Sequence, residues 1–124
     1  LFCLRIRYNP DIAALNRLCI PLLGVHDFTS FALPRDVSTS KKRRIQKAVF
    51  FMDGPFVVFE ISANAFLWRM VRSILGTLLN FEREGKGPED LEKVIHAQRW
   101  DASGESVPSA GLFLHSVRYE GEVY

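Results

Sequence analysis

Ile45-Gln-Lys-Ala-Val-Phe-Phe-Met52, Asp53-Gly-Pro55, Phe56-Val-Val-Phe-Glu-Ile-Ser62 and then Asn64-Ala-Phe-Leu-Trp-Arg-Met-Val-Arg-Ser-Ile-Leu-Gly76 decide the fold class. Two runs with aromatic and β-branched side chains flank an Asp-Gly-Pro turn, which is a strong local hairpin signal. The following segment changes period. At about 100° per residue, Leu67, Val71, Ile74, Leu75 and Leu78 form one apolar arc, with Arg69, Arg72, Ser73 and Gly76 opposite. The spacing predicts a helix over Asn64–Asn80. Arg69 and Arg72 are neighbours at i and i+3 and repel each other unless an acid or a phosphate lies between them. A plain exposed basic face, with its long stems packed flat, is the other reading of the pair.

Working outward, Leu4, Ile6 and Tyr8 alternate with Arg5 and Arg7 and predict a short half-buried strand, closed by Asn9-Pro10. Asp11 is placed to cap a helix on which Ile12, Leu15, Leu18, Cys19 and Leu22 recur, with Pro21 ending or kinking its last turn and Gly24 stopping it. Val25 to Ser40 shows no sustained period and reads as a loop. Past Gly85 to Gly87, the segment Pro88–Gln98 predicts a helix with proline near its first position and acids in its first turn. Arg99–Ala110 reads as a polar connection, and Gly111–Tyr119 alternates as a last strand that could pair with the hairpin. These elements predict an α+β domain over residues 1–124, a mainly antiparallel sheet with helices packed on one face.

Composition narrows the function classes. A chain of 124 residues with 48% hydrophobic content is one domain in size and not disordered. No apolar run approaches the roughly 18 residues of a membrane span, and the charged start is unlike a secretory signal, so a cytoplasmic protein without membrane contact is expected. The chain begins with leucine, and its first eight residues read as the end of a strand without a beginning, the mark of a fragment or a processed product. Cys3 and Cys19 lie in apolar surroundings without ligand spacing and read as free buried thiols. His26, His96 and His115 are scattered, so no metal site is expected.

Charge is clustered rather than large. The net charge is +2, yet Arg35, Lys41, Lys42, Arg43, Arg44 and Lys47 lie within thirteen positions. The tetrad Lys41 to Arg44 suits a phosphate backbone, although a solvated charge run is the simpler alternative. Phe28 and Phe31 flank Thr29 and Ser30 beside it. Exposed, they could stack on an unpaired base; buried, they would plug the loop. His26 next to Asp27 invites an acid/base reading but has no third partner. No phosphate-cradling glycine loop or nucleophile elbow is present. On residues alone, the chain reads as a basic domain that binds RNA or another polyanion.

His26-Asp27-Phe28-Thr29-Ser30-Phe31, Arg43-Arg44-Ile45, Asn64-Ala65-Phe66-Leu67 with Met70-Val71-Arg72 and Gly76, and Pro108 with Gly111-Leu112-Phe113-Leu114 resemble, in order and spacing, the C-terminal half of the bacterial-type tRNA pseudouridine synthase A family. The resemblance runs from about Asp11 to Tyr119. It implies isomerisation of uridine to pseudouridine in the tRNA anticodon stem-loop, without cofactor, by an aspartate that attacks the nucleoside so that the base detaches, turns and rejoins through carbon. That aspartate belongs to an Arg-Thr-Asp type motif of the N-terminal half. Asp11, Asp27, Asp36, Asp53, Asp90 and Asp101 all stand in other contexts, so the missing N-terminal half is an implied partner.

By the same resemblance, Arg72 is the catalytic basic residue that pairs with the absent aspartate and keeps it ionised. Phe66, Met70, Leu112 and Leu114 would line the uracil pocket. His26, Asp27, Phe28, Phe31, Lys41, Lys42, Arg43, Arg44 and Arg69 would face the tRNA. The implied assembly is a homodimer. Two other readings remain: a non-catalytic RNA-binding module derived from this fold, and a structural domain using its basic cluster for protein or membrane-surface contacts.

Overall fold

A computed structural model describes residues 10–32, 40–67 and 70–99 fully, and residues 2–6 and 112–117 by their backbone. Among these residues five strands and three α-helices follow one another as β1 (Phe2–Ile6), α1 (Ile12–Cys19), β2 (Gly24–Asp27), β3 (Lys42–Asp53), β4 (Phe56–Ala63), α2 (Met70–Glu84), α3 (Pro88–Ala97) and β5 (Leu112–Val117). The strands form one antiparallel sheet in the order β2-β3-β4-β1-β5. This is the expected α+β architecture.

The hairpin forms as its sequence predicts, with Gly54 at a φ of +61° in the turn, a backbone conformation that L side chains seldom adopt. Its register contains a slip. Ile45 lies opposite Ala63 but Lys47 opposite Ser62, which leaves Gln46 as an extra residue. A bulge of this kind reverses which side chains face the core. Ile45 and Phe50, an odd number of residues apart, are therefore both 2% exposed. Phe50 stacks on its cross-strand partner Phe59 with ring centres 4.6 Å apart, a pairing worth about 0.5–1.5 kcal/mol beyond area burial. On the opposite face, Lys47 reaches diagonally to Glu60 at 2.8 Å.

Asp11 caps α1, its Oδ1 accepting from the Ala14 N–H at 3.1 Å, and its own N–H donates to Glu82 Oε1 of α2 at 2.8 Å. Pro21 has the expected effect: the α-helix stops at Cys19 and continues as a 3₁₀ turn over Ile20–Leu22, which still buries Leu22. Cys19 is a free buried thiol. Burial pushes its pKa up to about 12. In α3, Pro88 takes the first position, Asp90 Oδ2 accepts from the Gly87 N–H at 3.0 Å, and Gln98 closes the helix in the left-handed conformation. Ile74, Leu75 and Leu78 of α2 are fully buried, as their arc requires. Thr77 also falls on the buried side, where its hydroxyl donates to the Ser73 carbonyl at 2.9 Å.

Three expectations are corrected. The helix predicted from Asn64 begins at Met70, because Asn64 is held to β3 and Ala65 to Leu67 are not helical. The predicted loop from Val25 contains β2, which pairs with β3 from Gly24 opposite Ile45 to Asp27 opposite Lys42. β5 pairs with β1 rather than with the hairpin, since β1 occupies the open side of β4. Tyr8, the Pro108 and Gly111 positions, most of the Arg99–Ala110 connection and the Cys3 side chain lie outside the described residues.

Candidate nucleic-acid interface

The basic segment is shaped by its two neighbours, β2 and the residue that ends β4. Asn64 receives the Arg44 N–H on Oδ1 at 2.8 Å and donates its own N–H to the Arg44 carbonyl at 3.1 Å. One residue thus pairs with both backbone groups of Arg44 and fixes where the chain leaves the sheet for α2. A cleft of about 380 Å³ opens beside this clamp, lined by Val25, Lys42, Arg43, Arg44, Gln46 and Asn64. Three of its six lining residues are cationic. Lys42 and Arg44 are exposed, whereas Arg43 and Lys41 are half-buried.

Arg43 differs from the rest of the tetrad in its bonding. Its Nη1 donates to the Ser40 carbonyl at 2.9 Å and to the Lys42 carbonyl at 2.7 Å, folding the side chain back along the strand. Its Nε is buried and has no hydrogen-bond partner among the described residues. His26 lies opposite Arg43 across the β2–β3 pairing. The His26 ring is fixed by an Nε2 contact of 2.7 Å to the Leu23 carbonyl and by an edge-on contact with Phe28 at 5.9 Å between ring centres. Gly24, between Leu23 and His26 in this short turn, has a φ of +93°, which a side-chain-bearing residue would adopt only with strain.

Asp27 is occupied locally. Its Oδ1 accepts from the Thr29 N–H at 2.9 Å and from the Thr29 hydroxyl at 2.5 Å, an Asx-type turn that launches a 3₁₀ turn over Thr29–Phe31. No acid/base dyad with His26 is formed by these contacts. Phe28 and Phe31 are corrected: at 0% and 1% exposure they are core residues and offer no ring face to a base. They are the plug that the sequence left as an alternative.

Arg72 stands exposed on the first turn of α2, six residues after the half-buried Phe66 and five after the buried Leu67. Phe66 packs against the core while keeping part of its surface open. Met70 is fully buried and contributes no surface to a pocket in this chain, which corrects its assignment as a lining residue. Leu112 and Leu114 sit on β5 opposite Ile6 and Leu4 of β1. Their side chains, and Arg69 altogether, lie outside the described residues. Among the described residues no three His, Cys, Asp or Glu side chains gather as metal ligands, and no helix is long and apolar enough to cross a membrane.

Asn64 and Ser30 are the functional-region residues that sequence reasoning missed. Both belong to quoted motifs, but their partners are distant in sequence. Ser30 is fully buried, donates to the Val94 carbonyl at 2.6 Å and accepts from the Arg99 N–H at 3.1 Å, tying the His26–Phe31 segment to the end of α3. A Thr29-Ser30 pair set between two aromatics was its only local signal.

The family model described as tRNA pseudouridine synthase matches residues 18–120. The chain belongs to the tRNA pseudouridine synthase family. The match takes in the whole cleft, the Asn64 clamp and α2. Among curated relatives, a tRNA pseudouridine synthase A of Treponema denticola is 46% identical over 114 residues, covering 92% of this chain and 42% of the relative. That of Borreliella burgdorferi strain ZS7 is 38% identical over 110 residues, covering 89% of this chain and 45% of the relative. That of Borrelia turicatae is 36% identical over 115 residues, with 93% and 47% covered. The chain therefore spans somewhat less than half the length of these pseudouridine synthases.

Proposed function

We propose that this chain is the C-terminal half-domain of a tRNA pseudouridine synthase, which isomerises uridine to pseudouridine in the anticodon stem-loop. The observation that carries the reading is the 46% identity to a tRNA pseudouridine synthase A across nearly all of this chain but only 42% of that relative. A second half then supplies the nucleophilic aspartate, and the site is a cleft between the two. The exposed position of Arg72 at the start of α2 supports its role as the aspartate's partner. An opposite charge within a few ångströms keeps a carboxylate ionised, and a guanidinium fixes its orientation through two parallel hydrogen bonds.

The basic cleft beside Asn64 is part of the tRNA surface in this reading, with Lys41, Lys42, Arg43 and Arg44 carrying the charge. Leu112, Leu114 and the open part of Phe66 contribute the apolar enclosure of the flipped base. The domain works in the cytoplasm, as one half of each subunit of a homodimer, and this half alone does not turn over substrate.

The test uses the intact protein purified from its source cells. Joining the base through C5 releases the C5 hydrogen, so tritium release from tRNA labelled at that position reports turnover directly. Arg72→Ala is expected to nearly abolish release while leaving tRNA binding within a few-fold. Retained turnover would sink the role given to Arg72. Binding with no turnover by the unaltered intact protein would favour a non-catalytic RNA-binding module.

A further inference from the structure

Asn64 completes the pairing of Arg44 with its side chain. In an antiparallel sheet, two opposed residues of a hydrogen-bonded pair exchange two bonds, each N–H donating to the other's main-chain carbonyl. Here the Asn64 N–H donates to the Arg44 carbonyl at 3.1 Å, but the return bond from the Arg44 N–H ends on Asn64 Oδ1 at 2.8 Å. The side-chain carbonyl replaces the main-chain one. The Asn64 main chain can therefore turn out of the sheet just past β4 while Arg44 stays paired. The segment that follows is pinned at once. Leu67 and Met70 are buried, and the Met70 N–H donates to the Leu67 carbonyl at 3.0 Å as α2 begins. Arg72 stands exposed on the first turn of that helix. On the other side of the clamp, Arg44 lines the basic cleft.

Resting on the reading of the chain as a tRNA pseudouridine synthase half-domain, we propose that Asn64 is a positioning residue for the isomerisation, its carboxamide holding Arg72 in a fixed place relative to RNA seated in the cleft. Two bonds join the backbone of a cleft residue to the start of the segment that carries the guanidinium, so neither shifts without the other. Asn64 acts through Arg44 and α2, not on the reacting atoms. Displacing a group by about 1 Å can cost on the order of 100-fold in rate, even from a site remote from the chemistry.

The intact protein and tRNA tritiated at C5 of uridine test this in single turnovers. With protein in excess and saturating, the rate of tritium release reads the chemical step, and a separate titration reads binding. Asn64→Ala removes the acceptor and is expected to slow the saturated rate roughly 10- to 100-fold. Affinity should stay within a few-fold, and the salt dependence of binding should match the wild type, since no charge is altered. Asn64→Asp keeps an oxygen at the acceptor position and is expected to restore most of the saturated rate. Asn64→Gln keeps the carboxamide but sets it one methylene further out, and is expected to be slow although folded. A merely structural bond would lower the unfolding midpoint and leave the saturated rate of the folded protein unchanged. Wild-type saturated rates in Asn64→Ala and Asn64→Gln therefore overturn the proposal; if Asn64→Ala does not fold, Asn64→Gln alone decides. Loss of affinity in proportion to rate overturns it too, because the cleft itself would then have been lost. A wild-type protein that binds tRNA without releasing tritium is a separate result, and it removes the synthase reading itself.

Discussion

Asn16 holds both backbone groups of Phe50. Its Nδ2 donates to the Phe50 carbonyl at 3.0 Å, and its Oδ1 accepts from the Phe50 N–H at 2.8 Å. β3 runs for twelve residues, but β2 covers only its first four, so the middle of β3 would present an open edge. A single carboxamide on α1 stands in for the absent strand.

Asn16→Ala is therefore expected to destabilise the domain by about 1–3 kcal/mol, since it leaves a half-buried donor and acceptor unmet together. The midpoint of denaturant unfolding checks this. Asn16→Asp should fall close to Asn16→Ala, because the carboxylate keeps the acceptor but sets a negative charge against the Phe50 carbonyl. Equal stability of all three proteins would mean that water replaces the carboxamide.

Ser30 joins two segments far apart in sequence, and its removal should be felt at both. Ser30→Ala removes the bonds to the Val94 carbonyl and from the Arg99 N–H and is expected to cost about 1–3 kcal/mol. Amide hydrogen exchange gives the sharper readout: the Arg99 N–H should exchange much faster in the variant under native conditions, while those of the β3–β4 ladder slow or quicken only with global stability. Unchanged exchange at Arg99 would show that the hydroxyl is not what protects it.

How far such features can be read in advance depends on how local their causes are. The Asp53-Gly54-Pro55 turn, the Asp11 cap, Pro21 and the Pro88–Asp90 start are each decided within a few residues, and all four lie where the sequence puts them. β2 escaped because four residues are too few to establish a period, and its pairing partner lies beyond a separate turn. The side of the sheet on which β5 joins is a matter of which edge is left open, which no alternation encodes. The tetrad is four equal cations in sequence; only the return of Arg43 to the Ser40 and Lys42 carbonyls separates it from the others. Phe28 and Phe31 could be read either way, and burial chose the plug.

Cys19 should give the stability curve an alkaline limb. Its thiol titrates near 9.0 when exposed and near 12 when folded, raised by burial. The folded state therefore disfavours the thiolate. The associated stability is fully present below pH 9.0 and is lost progressively as pH rises towards about 12. Cys19→Ala removes this titration, so its unfolding midpoint should fall less than that of the wild type between those pH values, despite a lower starting stability from the lost packing. A thiol-specific reagent at neutral pH should label Cys19 only at the rate of unfolding. Rapid labelling of the native protein would contradict its burial.

Neutralising Lys42 and Arg44 should change how binding depends on salt more than what is bound. Both are exposed and line the cleft. Each cation that neutralises an RNA phosphate contributes about 0.7 to the slope of log affinity against log salt on a single strand. Lys42→Ala with Arg44→Ala should therefore flatten that slope by roughly 1.4, and the affinity loss should be largest at low ionic strength and shrink as salt rises. The Arg44 backbone bonds to Asn64 do not involve its side chain, so the clamp and the fold should survive the double substitution. If the proposed function holds, turnover by the saturated intact protein should remain near wild type, in contrast to Arg72→Ala. A slope unchanged by the double substitution would mean that the tetrad is a solvated charge run after all.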